Sequence, residues 1–222
     1  ELHIDMAQVE GIFISHEHSD HIAGLQQLLK RFDIPVYTKQ GTWREIQDKL
    51  IVPKNQLIEL TKGSLTLGNL IVEPFAVSHD AADPIGINVF AGKDKATVVT
   101  DTGVISDSIL RRMDDTTLLV LEANYDPHML RFGPYQPFLK QRVASDEGHL
   151  SNEMAAQALL MMNRPDFMQV ILAHRSENNN NAVLVTQTIG KMLVDGGVRI
   201  GPEMKLQHGQ PNEIVSMKSV KR

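Results

Sequence analysis

Four side chains that can bind a metal ion lie within six residues near the start of the sequence: His16, His18, Asp20 and His21. Side chains of an extended chain repeat every two residues, so we expect His16 and His18 to point to the same side. Asp20 and His21 follow one turn further on, where the chain bends back. The arrangement can serve two metal ions, one bound by the first pair and one by the second. The alternative is a polar loop that happens to be rich in histidine, and the density of ligands disfavours it.

The segments on either side of this cluster predict its place in the fold. Residues 11–15 are short, apolar and rich in β-branched side chains, as in a buried strand, and residues 22–31 read as a helix. The cluster thus falls at the carboxyl end of a strand, on the turn into a helix. Ligand sites of α/β sheets commonly occupy this position.

The order His-x-His-x-Asp-His resembles the signature of the metallo-β-lactamase superfamily. This resemblance implies three further ligands downstream: a histidine, an aspartate and a histidine, each at the end of a strand. The sequence has candidates in that order, each after a predicted strand: His79, Asp101 and His174. One strand-end histidine would be weak evidence, whereas the ordered set together with the first motif is strong.

The resemblance also implies how the ligands would be shared between two divalent ions. The ligands of the first ion would be His16, His18 and His79. Those of the second ion would be Asp20, His21 and His174. Asp101 would bridge both ions, because a carboxylate has two oxygens. Two such ions can share a hydroxide, make it a nucleophile near neutral pH and clamp the oxygens of a phosphoryl displacement. Nitrogen and oxygen ligands suit zinc, manganese or iron, and we take zinc or manganese as the expected cofactor.

Two further residues have predicted roles beside the metals. Phosphodiesterase branches of the superfamily, such as ribonuclease Z, have a non-ligand histidine before the final ligand that contacts the scissile phosphate and helps protonate the leaving oxygen. By resemblance His149 would be that phosphate contact and general acid, a role that suits imidazole because its pKa lies near neutrality. A local hydrogen bond at a helix start is the alternative. Glu122, at a strand end, would orient a histidine, or else be a solvated carboxylate. Asp20 counts as a catalytic residue as well as a ligand.

The sharpest resemblance is to the YycJ/WalJ group of bacterial metallohydrolases, which are described as metal-dependent nucleases acting on duplex DNA from the 5′ end. Five segments between Gly11 and Asn180 carry it: Ser-His-Glu-His-Ser-Asp-His, Thr-Asp-Thr-Gly, Leu-Glu-Ala-Asn, Gly-His-Leu-Ser-Asn and Ser-Glu-Asn-Asn. Two positions depart from the group's pattern: Tyr125, where relatives usually have histidine, and Arg175, where they usually have leucine. Neither is a proposed ligand, so the departures bear on substrate contact.

The length and composition suit one α/β hydrolase domain over residues 1–222. Hydrophobic residues make up 42% and charged residues 22%, as in ordinary globular proteins. The resemblance implies the four-layer αβ/βα sandwich of the superfamily. Its motif normally follows several N-terminal strands, for which residues 1–8 leave no room. We therefore expect that roughly 40 to 50 residues of an ordinary domain are missing upstream.

Charge and cysteine content narrow the function classes. The formal net charge of −5 argues mildly against a large nonspecific nucleic-acid surface and leaves room for a local basic groove. The absence of cysteine excludes disulfides and thiol chemistry and fits a cytoplasmic protein. No apolar run approaches the length of a membrane span, so we expect none. The oligomeric state stays open.

Three segments and one single residue carry expectations of a different kind. Residues 125–147 hold three prolines among basic and aromatic residues, and we expect irregular structure there, with a helical part around residues 138–144 as an alternative. This stretch fits either a substrate-facing arm, with cations on phosphate and a ring on a base, or a plain surface excursion. Trp43 is expected to pack in the core. Closing strands are predicted at residues 198–206 and 213–217.

The leading hypothesis is a dinuclear metal-dependent phosphodiesterase, a 5′-to-3′ DNA exonuclease with a metal-bridging hydroxide as nucleophile and His149 as phosphate contact and general acid. A second hypothesis keeps the hydrolase and changes the substrate to a small cyclic phosphodiester, a thioester or a lactam, which the acidic net charge weakly favours. A third is a non-enzymatic metal-site module that serves a partner. The intact ligand set disfavours the third.

Overall fold

The computed structural model describes residues 4–61, 63–210 and 213–215. These residues form an α/β fold with both parallel and antiparallel strand pairs. The chain divides into two compact units. The first comprises Glu1–Ala76 and Asp80–Gly92, and the second comprises Val77–His79 and Lys93–Arg222. That residues 1–222 act as one hydrolase domain stays a prediction.

The first unit combines parallel and antiparallel strands with short helices. Its elements in chain order are β1 (Ile12–Phe13), α1 (Ser19–Ile22), α2 (Leu25–Leu29), β2 (Val36–Thr38), α3 (Gln40–Gln47), β3 (Leu57–Glu59), β4 (Leu65–Leu67), β5 (Leu70–Ala76) and β6 (Ile85–Ala91). Strands β1, β2 and β3 pair in parallel in that order, and β5 pairs antiparallel with β4 and β6. All three residues of β2 are buried, as expected for the middle strand of a parallel set.

The helices of the first unit pack an apolar stripe onto β1 and β2. Residues four apart on a helix share a face, so Leu25 and Leu29 of α2 lie on one side and pack with Ile22 of α1 against Val36 and Trp43. Trp43 is only 5% exposed, so its predicted packing role is confirmed. The helix predicted over residues 22–31 is in fact two, α1 and α2, separated at Ala23 and Gly24. Glycine has a low helix propensity, which favours the break there.

The second unit is built around parallel strands joined by helices. Its elements in chain order are β7 (Asp94–Val99), α4 (Asp107–Met113), β8 (Leu118–Glu122), α5 (Pro127–Phe132), α6 (Pro137–Val143), α7 (Asn152–Met161), β9 (Met168–Ala173), α8 (Ala182–Asp195) and β10 (Met204–His208). Strands β7, β8, β9 and β10 pair in parallel in that order. Their register sets Val99 beside Leu121 and Glu122 beside Ala173. The carboxyl ends of β7, β8 and β9 therefore meet at one edge of the sheet.

The core of the second unit is formed by alternate residues of its strands and by the apolar face of α8. Strand β9 alternates between buried and partly exposed residues, with Met168, Val170 and Leu172 buried. Val185 and Ile189 lie one turn apart on the buried face of α8. Helices α7 and α8 contact one another. In the part of the chain that the structure describes, no helix is long and apolar enough to cross a membrane.

Three expectations about secondary structure need correction. Residues 125–147 are more regular than expected, because α5 is present in addition to α6, which matches the helical part expected around residues 138–144. Each of the two helices has a proline in its first turn, where the missing N–H costs nothing and the fixed φ favours a helix start. The closing strand predicted over residues 198–206 is β10, which begins only after a turn at Gly201, where φ is +99°. Of the predicted strand over residues 213–217, the first three residues are not in a strand, and residues 216 and 217 lie outside the described residues.

Candidate metal centre

The first unit gathers the histidines of the first motif beyond the end of β1. The ring centroids of His16 and His18 lie 4.6 Å apart, with the rings nearly perpendicular. The centroids of His16 and His21 lie 4.0 Å apart. The Ser15 Oγ atom is 3.1 Å from Nδ1 of both His16 and His21. A hydroxyl can donate to one nitrogen and accept from the other, so Ser15 couples the orientation of the two rings.

Hydrogen bonds to residues 14, 15 and 17 anchor the chain at this cluster. The Thr38 hydroxyl donates to the carbonyl of Ile14 at 2.7 Å, and the Ile85 N–H donates to the carbonyl of Ser15 at 3.1 Å. Between the two histidines, the buried Glu17 accepts the N–H of Ala82 at 2.8 Å. Glu17 thus fixes a loop of the first unit. Sequence reasoning gave it no role, because it occupies a variable position of the His-x-His-x-Asp-His motif.

The carboxylates of the first unit differ in exposure. The Asp20 side chain is 66% exposed, and its Oδ2 atom lies 3.5 Å from Nε2 of His21. Asp80, which sequence reasoning did not single out, places Oδ1 at 3.9 Å from Nε2 of His18. The structure therefore brings the four predicted ligands of the first motif into one cluster, with carboxylate oxygens near two of the imidazole Nε2 atoms.

In the second unit, the buried carboxylate of Glu122 is the centre of the hydrogen-bond network. Its Oε1 atom lies 2.8 Å from Nδ1 of His149 and 2.7 Å from Nδ1 of His174. Its Oε2 atom accepts the backbone N–H groups of Thr102 at 3.2 Å and of Leu150 at 3.1 Å. All four donors lie near the end of β8, so one side chain holds both histidines and two loops.

The ionisation of Glu122 decides which nitrogen each histidine offers. Burial alone would raise the pKa of Glu122, but its hydrogen bonds to His149 and His174, together with the charge that these imidazoles carry when protonated, outweigh burial and lower the pKa to about 2. An ionised carboxylate only accepts hydrogen bonds. Nδ1 of both histidines must therefore carry a proton. Nε2 of each ring is left as the atom that can bind a metal ion or, when protonated, donate to a substrate.

His79 and Asp101 complete the second unit's set. Nδ1 of His79 lies 3.1 Å from the carbonyl of Gly148, which can only accept, so this ring too is held with Nε2 available. Asp101 is 3% exposed, and its Oδ1 atom lies 3.4 Å from Nε2 of His174 and 3.8 Å from Nε2 of His79. One aspartate oxygen thus faces the metal-competent nitrogens of two histidines.

Two residues of this set have an unusual backbone conformation. Asp101 and His174 have φ angles of +54° and +52°, in the left-handed region that favours glycine. Both come just after a strand, β7 and β9. A non-glycine residue in this region costs about 1–3 kcal/mol and tends to occur at functional sites.

The donor set fits a divalent metal ion. Within the second unit, single ligand atoms of Asp101, Glu122, His149 and His174 all lie within 4.8 Å of one another. The first unit contributes three imidazoles and carboxylate oxygens that also lie together. A set of imidazole and carboxylate donors without thiolate suits zinc, manganese or iron.

Asparagines support the second unit's site, and sequence reasoning gave them no individual role. The Asn124 side-chain amide donates to the carbonyl of His174 at 2.8 Å. Asn152 and the buried Asn180 exchange side-chain hydrogen bonds at 3.1 and 2.8 Å. The Asn180 amide also reaches the carbonyls of Ala123 at 3.0 Å and Asn124 at 3.1 Å. These contacts tie the loop after β9 to the end of β8 and the start of α7.

The fold and these clusters agree with the comparison to known families. Residues 2–174 match the profile of the Beta-lactamase superfamily domain, and the chain belongs to the metallo-β-lactamase superfamily of metal-dependent hydrolases. Within it, the chain is 34% identical over 210 residues to the exodeoxyribonuclease YycJ of Bacillus anthracis, covering 94% of this chain and 80% of the relative. It is 32% identical over 209 residues to the exodeoxyribonuclease WalJ of Streptococcus pneumoniae, covering 92% of this chain and 77% of that protein. The predicted family resemblance is confirmed.

Solved structures share the fold at low sequence identity. The metallo-β-lactamase fold protein YhfI from Bacillus subtilis superposes with a TM-score of 0.66 at 15% identity, over 92% of this chain and 76% of that one. Zinc-bound PqqB from Methylobacterium extorquens superposes with a TM-score of 0.62 at 15% identity, over 90% of this chain and 68% of that one. The predicted fold class is therefore confirmed. The roles of the individual site residues stay predictions.

Proposed function

We propose that the protein is a dinuclear metal-dependent phosphodiesterase that acts on DNA as a 5′-to-3′ exonuclease. The observation that carries the proposal is the Glu122 carboxylate bonded to Nδ1 of both His149 and His174, with Asp101 Oδ1 at 3.4 Å from Nε2 of His174. The relatives named exodeoxyribonuclease support DNA as the substrate.

Seven residues would hold the metal ions: His16, His18, Asp20, His21, His79, Asp101 and His174. Asp101 is suited to bridge, because its Oδ1 atom already lies within 4 Å of Nε2 of two histidines. When bound, two divalent ions such as zinc or manganese activate water and neutralise charge on a phosphodiester. The chain's own residues must then bind the phosphate and supply a proton to the leaving oxygen.

His149 is the residue proposed for that proton. The Glu122 carboxylate holds its Nδ1–H, so the ring can become an imidazolium whose positive charge is balanced at 2.8 Å. Nε2 would then donate a hydrogen bond to a phosphate oxygen and pass its proton to the leaving oxygen as the P–O bond breaks. Glu122 stays ionised and keeps the ring oriented. This separates the role of His149 from that of His174, whose Nε2 atom faces Asp101.

The test uses the metal-stripped protein on 5′-labelled and 3′-labelled duplex DNA, with manganese or zinc added back. His149→Ala and Asp101→Ala are compared with His128→Ala, a matched control at an exposed histidine on α5. We expect the metal-loaded protein to release the 5′ label as a mononucleotide before it releases the 3′ label. His128→Ala should leave this cleavage unchanged. Loss of general acid catalysis typically costs about 10²–10⁴-fold, which is the expected effect of His149→Ala. Unchanged cleavage by His149→Ala would refute its role, and absence of cleavage in the metal-loaded wild type would refute the DNA exonuclease.

One observation favours a second candidate, the hydrolysis of a small phosphodiester or thioester. The formal net charge of −5 is unusual for a protein that must hold a polyanion. Hydrolysis of a small ester that excess duplex DNA does not inhibit would favour this candidate. Metal binding without any hydrolysis would instead favour a non-catalytic module.

A further inference from the structure

A cavity of the second unit extends from the histidines of the site toward a pair of arginines. Its volume is about 940 Å³, enough for a nucleotide, since small-molecule sites usually measure about 300–1,000 Å³. We call it the Arg175 cavity. Its wall includes Tyr135, Leu139, Arg142, His149, His174 and Arg175. His149, the proposed phosphate contact, therefore opens into the same space as two guanidinium groups.

Arg175 has a side chain that the described part of the protein does not fully satisfy. It follows His174 directly, and its Nη1 atom is buried without a hydrogen-bond partner among the described residues. Leaving a charged donor unsatisfied in a protein interior is unfavourable, so most buried arginines pair with a carboxylate. Glu177 is the acidic residue in the described wall, and it is exposed to solvent. The wall next to His174 thus carries net positive charge.

Tyr135 gives the same cavity an aromatic wall of fixed orientation. The ring packs on the buried cluster of Tyr125, Leu130 and Val143, and the Asn178 amide donates to its hydroxyl at 3.4 Å. A ring that packs on this cluster with one side can present its remaining surface to a planar ligand. Stacking on an aromatic side chain is a sequence-independent way to bind a base.

We propose that the Arg175 cavity binds the nucleotide adjacent to the scissile phosphate, with the Arg175 guanidinium on the neighbouring phosphate and the Tyr135 ring against the sugar or base. The inference rests on the proposed function, since it places the scissile phosphate at His149. A guanidinium matches two phosphate oxygens at once, which an aliphatic residue at this position cannot do. Arg142, also in the wall, adds positive charge where the sugar–phosphate backbone of the DNA would lie.

The experiment compares Arg175→Leu and Arg175→Lys with Arg199→Leu. Arg199 bonds Glu203 and does not line the Arg175 cavity, so its variant removes the same charge elsewhere. Binding of a fluorescent DNA duplex with phosphorothioate linkages is measured by anisotropy over a range of salt concentrations. Hydrolysis of bis(p-nitrophenyl) phosphate, which has no second phosphate, and metal content report on the metal centre.

We expect Arg175→Leu to weaken duplex binding by about tenfold, as for the loss of one charge-assisted hydrogen bond. It should also reduce the slope of log K against log salt by about 0.9, the value for one phosphate contact. Arg175→Lys should restore the slope and only part of the affinity, because it keeps the charge without the planar fork. Hydrolysis of the small diester and metal content should not change in either variant, and Arg199→Leu should behave as the wild type.

Other outcomes overturn the inference. Unchanged binding by Arg175→Leu, an equal loss in Arg199→Leu, or loss of metal from Arg175→Leu would each show that Arg175 is not a phosphate contact. The two proposals fail in different ways. Wild-type protein that binds the duplex through Arg175 but never cleaves DNA keeps the subsite and refutes the nuclease. Cleavage that Arg175→Leu leaves intact, with unchanged binding, keeps the nuclease and refutes the subsite. Wild-type protein that does not bind the duplex refutes the subsite.

Discussion

Replacement of Glu122 by glutamine tests whether one carboxylate sets the tautomers of two histidines. The carboxylate accepts from four donors, two on each oxygen. Glutamine has a single acceptor oxygen, so its NH₂ group must face either the two histidines or the two backbone N–H groups of Thr102 and Leu150. In the first orientation each imidazole can pair with the amide only by moving its proton from Nδ1 to Nε2. The nitrogen intended for a metal ion is then protonated.

The size of the effect follows from this count of donors. Two of the four donors lose their acceptor, which lowers the free energy of unfolding by about 1–3 kcal/mol for each donor. Part of this loss is offset, because the variant no longer buries a charge. Metal binding should be affected more than stability, because a ring with a protonated Nε2 cannot bind a metal ion through that atom. Loss of a hydrogen-bond partner of a metal-bound histidine typically lowers metal affinity about 10- to 100-fold. We expect Glu122→Gln to lie in that range.

Calorimetric titration of zinc into the metal-free protein measures this affinity. Glu153→Gln, the same chemical change at an exposed position in the first turn of α7, is the matched control. Circular dichroism checks the fold, and the ¹⁵N shifts of the imidazoles report the tautomers directly. Wild-type zinc affinity in Glu122→Gln, with Nδ1 still protonated in His149 and His174, would refute the reasoning.

Three further predictions concern stability. Asn180→Ala should lower the free energy of unfolding by about 2–4 kcal/mol in urea, because two backbone carbonyls and the Asn152 amide lose their partner, and a loss below about 1 kcal/mol would contradict this. Trp43→Ala should cost about 3–5 kcal/mol by emptying a buried site, whereas Phe138→Ala, at a ring that is 72% exposed, should stay within about 0.5 kcal/mol. Zinc at 100 times the wild-type Kd should raise the free energy of unfolding of the wild type by about 2.7 kcal/mol, measured by thermal denaturation. An equal rise in Asp101→Ala at the same zinc concentration would argue against Asp101 as a ligand.

The sequence allows the ligand positions to be predicted because strand ends recur in order. A short apolar run that stops at a histidine or aspartate marks both the strand and the side chain at its edge, as at Asp101 and His174. Parallel strands bring such ends together without further information. The same logic does not reveal what each ligand touches. Nothing near Glu122 in the sequence indicates that its partners lie 27 and 52 residues away.

The errors in secondary structure have a physical origin as well. Residues 125–147 were expected to be mainly irregular, with a helical part only around residues 138–144, yet Pro127 and Pro137 each stand in the first turn of a helix, where proline is compatible with helical structure. The break at Gly24 divides a segment whose apolar pattern is continuous, so periodicity alone does not reveal it. Local backbone preference decided the outcome in each case.

The left-handed backbone at Asp101 and His174 has a consequence for laboratory evolution. Glycine relieves the steric cost at such positions, and a selection for heat resistance carried out without metal would therefore favour glycine at both. The selected variants would be more stable proteins that lack two of the proposed metal ligands. Any stability screen on this chain should accordingly be run with metal present, so that the two properties are selected together.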